Sequence, residues 1–551
     1  MELLQIENIS FKYPKSEKKA IDNITLNIEE GSFVLLCGES GCGKSTLLKL
    51  IKREISPFGE VSGNIFYKGK LLNKLDTITS VCEIGFVGQN PDEQIVTDKV
   101  WHELAFGLEN MGKDSSTIRC RVGEMASYFG IQSWYHKNTD ELSGGQKQIL
   151  NLASVMAMQP NVILLDDRTS QLDPIAASEF ISTLRKLNTE IGLTVILVEH
   201  RLEEVFPISD KVIVMEKGKV ICNGTPQEVC FELKNHNFFA SMPSPAKIWS
   251  KLKNNCCCPL TVKEGRSFLH TYYNCQQVKK GIPEKELINA ETILEAKEVY
   301  FRYDKNSPDV LSNFNLTVKK GEIFSILGGN GTGKTTALNI LSGLDKPYRG
   351  KVNIARKKIR QYKGNSLYHG VLTLLPQNPK DVFIENTVKK DFEEILKAID
   401  CPDTELESRI SDIVDLLDIS NLLDKHPYDI SGGEQQKCAF AKVLLTEPQI
   451  ILLDEPTKGI DSFYKNKLAE IILNLKKQGK TILTVTHDVE FSAIVSDRCG
   501  LFFNGEIISV STPNHFFSEN NFYTTSASRM SRGLLKNAVL CDEVVRLCKE
   551  S

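Results

Sequence analysis

Apolar residues along the 551-residue chain gather in short blocks rather than long spans. Ser32–Cys37, Val162–Leu165 and Thr194–Val198 are such blocks, and Ile450–Leu453 and Ile482–Val485 repeat the pattern late in the chain. Uninterrupted runs of this length predict strands. Thr46-Leu47-Leu48-Lys49-Leu50 reads as the opening of a helix, and Thr261-Val262-Lys263-Glu264 as a capping box ahead of a short one. Near the end, Leu534, Leu535, Val539, Leu540, Val544, Val545 and Leu547 are spaced as one amphipathic helix, expected to dock on its own domain. No run reaches the roughly 18 apolar residues of a transmembrane helix.

Composition narrows the class. Apolar residues make up 41% and charged residues 25%, the balance of a globular protein. The net charge of −3 excludes a strongly basic nucleic-acid binder and an acidic disordered chain. The length suits two to four domains. The opening Met1-Glu2-Leu3-Leu4-Gln5 lacks the basic and apolar regions of a secretory signal. Fifteen cysteines without regular spacing are expected to be reduced. Cys256-Cys257-Cys258 has only the solitary Cys275 downstream, so it reads as a plain reduced segment rather than a zinc site.

The chain is written twice. Gly38-Glu39-Ser40-Gly41-Cys42-Gly43-Lys44-Ser45-Thr46 returns as Gly328-Gly329-Asn330-Gly331-Thr332-Gly333-Lys334-Thr335-Thr336, with lysines 44 and 334 being 290 apart. Ser143-Gly144-Gly145-Gln146 returns as Ser431-Gly432-Gly433-Glu434, and Leu164-Leu165-Asp166-Asp167 as Leu452-Leu453-Asp454-Glu455, both 288 apart. Glu199-His200 returns as Thr486-His487, 287 apart. Four motifs in one order at nearly one offset indicate duplicated domains. The expected organisation is a first domain over 1–231, a linker with a short helical extension over 232–290, a second domain over 291–519, and a C-terminal amphipathic helix or tail over 520–551.

Strand, glycine-rich loop and helix is the context of a phosphate-binding loop. The glycines let successive N–H groups face phosphate oxygens, and the helix N-terminus adds partial positive charge there. Lys44 and Lys334 are expected to reach the β- and γ-phosphates, while Ser45 and Thr335 offer hydroxyls to Mg²⁺. Asp166 and Asp454 each end an apolar strand, expected to lie beside the loop's own strand, where a carboxylate holds the Mg²⁺ shell. The next residue, Asp167 or Glu455, is placed to polarise an attacking water.

The serine-glycine-glycine motif ahead of these carboxylates makes both copies resemble ATP-binding cassette (ABC) ATPases over nearly their whole length. The resemblance implies an α/β fold of tandem P-loop NTPase domains, each with a RecA-like mixed sheet, an antiparallel β subdomain and a helical subdomain. It implies ATP and Mg²⁺ as cofactors. Gln89 and Gln377 look like Q-loop glutamines, sensing Mg²⁺ and a membrane partner. Leu142–Gln146 and Ile430–Glu434 look like signature motifs. Ser170–Asp173 and Lys458–Asp461 look like D-loops, and His200 and His487 like switch histidines. Tyr13 and Tyr303 look like the aromatic residues that stack on adenine. In this family each signature completes the other domain's site, so the resemblance implies intramolecular pairing of the two copies around two nucleotides.

Asn90-Pro91-Asp92-Glu93-Gln94-Ile95-Val96 and Val100–Glu109 after Gln89, and Asn378–Phe383 with Thr387-Val388 after Gln377, resemble the extended Q-loop helix of energy-coupling factor (ECF) importers of vitamins or metal ions. Glu199–Val205 is similar to that family as well. The resemblance implies an integral membrane T component contacting the post-Q-loop segments, a membrane S component selecting the cargo, no nucleic acid, and a peripheral position on the cytoplasmic face of the cell membrane. The rival readings are a tandem ABC ATPase acting on ribosomes or nucleic acid, which usually carries a long, highly charged helical linker, and a fused sugar-importer ATPase, which usually has one damaged P-loop. Both P-loops are intact here.

Two residues carry further expectations. Asp167 is one methylene shorter than the family's glutamate, so its carboxylate falls about 1.5 Å short unless a shifted strand end compensates; Arg168 also replaces the usual proline. Site one (Lys44, Asp166, Asp167, His200, with Ser431–Glu434) is therefore expected to hydrolyse more slowly than site two (Lys334, Asp454, Glu455, His487, with Ser143–Gln146). Cys42, inside the first loop at a helix N-terminus, sits where a thiol pKa is lowered, so two readings stand side by side, a reactive thiol that ATP protects and an inert small loop residue.

Overall fold

The computed structural model describes residues 2–14, 16–167, 169, 172–253, 256–273, 281–283 and 290–550. Arg168, Ser170, Gln171 and Cys275 lie outside the described residues. The chain forms two compact units, Met1–Lys247 and Ile248–Ser551.

Each unit contains the same two sheets. In the first, a six-stranded sheet runs in the order Lys219–Gly224, Lys211–Glu216, Phe33–Gly38, Thr194–Val198, Val162–Asp166, Ile84–Val87. All its pairings are parallel except the hairpin that joins the first two strands. Its central strands are buried at every position, which is why they read as unbroken apolar runs. The second unit repeats the order as Glu506–Ser511, Arg498–Phe503, Ile323–Leu327, Thr481–Thr486, Ile450–Asp454, Leu372–Leu375. An antiparallel four-stranded sheet accompanies each, built on Glu2–Lys12 and Thr292–Phe301. In unit one, Ile6, Phe11 and Ile24 of this sheet share a core with Leu47 and Leu48 of the loop helix and with Val34, Leu36 and Leu164 of the central sheet.

The strand order corrects one expectation. Val162–Asp166 does not lie beside Phe33–Gly38, because Thr194–Val198 is inserted between them, paired to both. The chain leaves Asp166, crosses through the helix Pro174–Ile191 and returns as that intervening parallel strand. A crossover of this kind can fill any neighbouring slot of a parallel sheet, and the local pattern does not say which.

A helical cluster completes each unit. Val100–Asn110, Ser115–Tyr128 and Gly144–Ala157 bury Leu104, Leu108, Val122, Leu150 and Ala153 together. Val388–Ala398, Asp403–Leu417 and Gly432–Leu445 do the same with Phe392, Leu396, Val414 and Cys438.

The end of the chain also differs from expectation. The apolar positions after 525 form two helices, Ser526–Ser531 and Cys541–Lys549, instead of one. Leu534, Leu535, Ala538 and Val539 are buried in the turn between them, where Gly533 takes a φ of 84°. A glycine at positive φ breaks the helix that the spacing alone suggests. Ser526–Ser531 packs against Val262–Tyr272, the helix behind the predicted capping box, whose Thr261 and Glu264 make both capping bonds. No helix among the described residues is long and apolar enough to cross a membrane.

Candidate functional site

The two glycine-rich loops have one geometry. Strand Phe33–Gly38 feeds the loop, and Gly43 caps the helix Lys44–Ile51 at φ 102°, where a Cβ would stand 2.4 Å from the Ala20 carbonyl oxygen. Only glycine fits there. Gly333 caps Lys334–Ser342 at φ 106°. Lys44 Nζ donates to the carbonyls of Gly38 (3.0 Å) and Glu39 (2.7 Å), and Lys334 Nζ to those of Gly328 (3.0 Å) and Gly329 (2.7 Å). Each ammonium thus lies buried inside the curl of its own loop. Glu39, Ser40, Gly41, Asn330 and Gly331 form the exposed or half-exposed crest, and Thr332 donates to the Gly329 carbonyl at 2.9 Å. Tyr13 OH lies 3.0 Å from Thr46 Oγ1, and Tyr303 OH lies 2.9 Å from Thr336 Oγ1. Both rings stay exposed beside the loop.

The strand-end carboxylates reach the loops despite the intervening strand. Ser45 Oγ donates to Asp166 Oδ1 at 2.8 Å. Thr335 makes the matching bond to Asp454. Burial pushes Asp166 up from the usual carboxylate range and pushes Asp454 up to about 6, with the neighbouring Glu455 charge adding to the rise. Asp454 Oδ1 and Glu455 Oε1 are buried with no hydrogen-bond partner among the described residues. Buried carboxylate oxygens next to an exposed hydroxyl make a hard, oxygen-only donor set, which fits Mg²⁺.

Asp167 and Glu455 share a backbone. Both take a left-handed conformation, φ 44° and φ 50°, and both bond through N–H to the strand alongside, Asp167 to Val198 O (3.1 Å) and Glu455 to Val485 O (2.8 Å). The pairing registers Asp166 to Val198 and Asp454 to Val485 are equivalent. No strand shift therefore makes up the missing methylene of Asp167. Their side-chain partners differ. Asp167 Oδ2 accepts from Gln89 Nε2 at 3.3 Å. Glu455 Oε2 accepts from Thr486 Oγ1 (3.2 Å) and His487 N (3.4 Å) and lies 2.9 Å from His487 Nδ1. Burial alone would raise Glu455, but the His487 contacts hold it below its usual value. His200 is half-buried at the end of its strand, and Gln377 is half-buried after its own.

The signature serines are exposed N-caps. Ser143 and Gln146 form a reciprocal capping box on Gly144–Ala157, and Ser431 and Glu434 form one on Gly432–Leu445. Gly145 and Gly433 occupy the first turns behind the exposed Gly144 and Gly432. Only in the second copy does the serine hydroxyl also donate to a carboxylate, that of Glu434, at 2.8 Å. Asp173 and Asp461, the last residues of the D-loop segments, cap the helices Pro174–Ile191 and Ser462–Lys477.

Cys42 corrects the expectation of a reactive thiol. Its Sγ turns inward, the residue is 4% exposed, and burial raises its pKa despite the nearby Lys44 ammonium. No disulfide joins the described cysteines, and no cluster of three or more metal-ligating side chains occurs among the described residues.

Two acidic residues received no role from sequence. Glu103 Oε2 accepts from Val96 N (3.1 Å), Thr97 N (2.9 Å) and Thr97 Oγ1 (2.9 Å). Asp391 accepts from Ile384 N (3.1 Å) and Glu385 N (3.3 Å), and from Lys442 Nζ at 2.7 Å. Each buried carboxylate clamps the segment that follows Gln89 or Gln377, leaving Val96 and Ile384 exposed upon it. Residues 103 and 391 are 288 apart, the spacing of the signatures, and that shared offset was the available signal.

The family model described as ABC transporter matches residues 21–170 and 311–458, more than half of the chain. A protein of Bacillus thuringiensis subsp. konkukian, bearing the name of an ABC transporter ATP-binding protein, is 39% identical over 548 residues, covering 99% of this chain and 98% of its own. One of Methanosarcina mazei with the same kind of name is 33% identical over 531 residues, covering 92% and 88%. Among solved structures, an archaeal ribosome recycling factor in complex with a ribosomal stalk protein aligns with a TM-score of 0.57 at 22% identity, over 93% of this chain and 92% of that one, a likeness of fold alone. Duplicated phosphate loops, strand-end carboxylates and signature helices, together with these matches, show that the chain belongs to the ABC transporter family as an ATPase with two cassettes in one polypeptide.

Proposed function

We propose that this two-cassette ATPase energises an importer of the ECF type for vitamins or metal ions, from the cytoplasmic face of the membrane. An integral T component would receive the motion and an S component would select the cargo. The observation that carries this reading is the pair of clamped segments after Gln89 and Gln377. Each holds an exposed apolar residue, Val96 or Ile384, on backbone fixed by a buried acid. Trp101, on the helix that follows the first segment, is exposed as well. Backbone fixed in this way presents its side chain at a set place, as contact with a protein partner requires. The resemblance to ECF importers and the transporter names of the relatives point to a membrane partner.

In this reading the loop amides and Lys44 or Lys334 bind ATP phosphates, and Tyr13 or Tyr303 stacks on the base. Ser45 with Asp166, and Thr335 with Asp454, hold Mg²⁺, assisted by Gln89 and Gln377; the ion supplies charge neutralisation on the phosphates. Glu455 orients the attacking water, with His487 and Thr486 fixing its carboxylate. The ABC resemblance implies that the signature of the other cassette would complete each site. Two departures then fall on the same composite site. Asp167 is short, and the signature assigned to it carries the anionic Glu434, whose carboxylate takes the Ser431 hydroxyl. Site one would bind ATP and hydrolyse it slowly, while site two turns over.

Affinity purification of the full chain from detergent-extracted host membranes tests the transport reading. Recovery of small integral membrane proteins in fixed ratio is expected. Co-sedimentation with ribosomes and no membrane protein would overturn it.

A further inference from the structure

Glu199 and Thr486 hold the same place, immediately before the two candidate switch histidines, yet they do opposite things. In the second copy, Thr486 Oγ1 and His487 N both donate to the Glu455 carboxylate. In the first, Glu199 is fully buried and accepts bonds itself. Its Oε1 takes the N–H groups of His200 and Arg201, both at 2.9 Å, and its Oε2 takes Thr169 Oγ1 at 2.5 Å. The histidine N–H that points at the base in one cassette therefore points at Glu199 in the other. Arg201 Nη1 also donates to Leu172 O at 3.2 Å, so residues 199–201 hold both Thr169 and Leu172. Asp166 pairs with Val198, so Asp167 and Glu199 follow paired positions on two adjacent strands, and burial, with the Asp167 charge added, raises the Glu199 pKa.

We propose that Glu199 is a positioning residue that sets the slow turnover of site one. It draws to itself the strand-end donor that orients the base carboxylate in site two, and it replaces a donating hydroxyl by an acceptor. A catalytic carboxylate gains from donors that fix it before the reaction begins. Lengthening Asp167 alone therefore restores reach without supplying the residue-199 hydroxyl or freeing the His200 N–H that Glu199 holds. The inference rests on the reading that site one is the slow site.

The test uses the full chain carrying Glu455→Gln, which leaves site one as the source of steady-state ATP hydrolysis. Asp167→Glu, Glu199→Thr and their combination are added to that background. The combination is expected to raise kcat roughly tenfold beyond the product of the two separate effects, with KM for Mg-ATP little changed. A gain in kcat with strong non-additivity is not what repair or damage of the fold produces. If Glu199→Thr lowers the amount of folded protein, Glu199→Gln keeps the size of the side chain and removes its charge. Combined with Asp167→Glu it is expected to exceed Asp167→Glu alone by about threefold. Additive effects in both the threonine and glutamine series would overturn the role of Glu199 and leave the slow-site reading standing. Wild-type turnover by the Glu455→Gln protein would overturn the slow-site reading and the inference with it.

Discussion

At the scale of single residues, one methylene separates the cassettes. Asp167 and Glu455 have the same left-handed backbone and the same bond to the neighbouring strand, so the difference in reach is about one C–C bond, 1.5 Å. Misplacement by about 1 Å costs on the order of 10²-fold in rate. Glu455→Gln is therefore expected to remove nearly all steady-state ATPase activity, whereas Asp167→Asn removes less than half, measured by phosphate release at saturating Mg-ATP. Equal losses would contradict the asymmetry. Cys42 is a second case. Its motif position suggests an activated thiol, but the side chain is turned into the core, where desolvation outweighs the helix end and Lys44. Peptide mapping after brief iodoacetamide treatment is expected to find Cys120, Cys256 and Cys257, all exposed, labelled well before Cys42. The residues whose placement was legible in sequence are those fixed by loop or strand-end position, such as Lys44, Ser45 and Asp166. The direction in which a small side chain turns is decided by packing, and the motif does not contain it.

Among the elements, the post-Q-loop segments depend on acids placed one helix away. Asp391 is fully buried in Val388–Ala398, paired with Lys442 of the signature helix and bonded to two backbone amides. Removing one member of such a pair strands a buried charge and costs roughly 3–5 kcal/mol, while replacing both by apolar groups costs much less. Asp391→Ala is expected to destabilise the second unit by that amount in urea denaturation, and Asp391→Leu with Lys442→Met to recover most of it. If the single and double variants lost equal stability, the ion pair would not be what fixes the segment. Glu103 does the same work in the first unit with three donors from residues 96 and 97. The strands, the loop helices and the capping box at Thr261 were legible because each is specified locally. The insertion of Thr194–Val198 between the loop strand and the Asp166 strand was not, since strand order is set by how a crossover helix covers the sheet.

For the whole molecule, the duplication is legible from motif order alone, but the structure adds an association that no offset announces. Val262–Tyr272, which follows the first cassette in the chain, packs on Ser526–Ser531, which follows the second. The contact is close: a Cβ on Gly265 would lie 2.6 Å from Met530 Sδ and 3.0 Å from its Cε, and Met530 is fully buried. Lys251 reaches Asp542 at 2.5 Å, and Val539 and Leu540 cover Phe516 and Phe517. Periodicity identifies each helix as amphipathic, but pairing two segments about 250 residues apart requires shape complementarity that appears only when both are folded. Gly265 is where this can be tested, because two effects oppose there. Any larger residue gains helix propensity, about 1 kcal/mol for alanine, whereas a branched side chain must displace the Met530 thioether, at roughly 1–3 kcal/mol. Gly265→Ala is expected to be near neutral, because the gain in helix propensity is offset by the roughly 1 Å that the flexible Met530 thioether must retreat to reach ordinary contact. Gly265→Leu is expected to lower the unfolding midpoint of the second unit, and Met530→Ala in the same chain to return part of the loss by opening the space the leucine needs. Were Gly265→Leu as stable as the parent in chemical denaturation, these two segments would not form the packed joint that closes the C-terminal part of the chain.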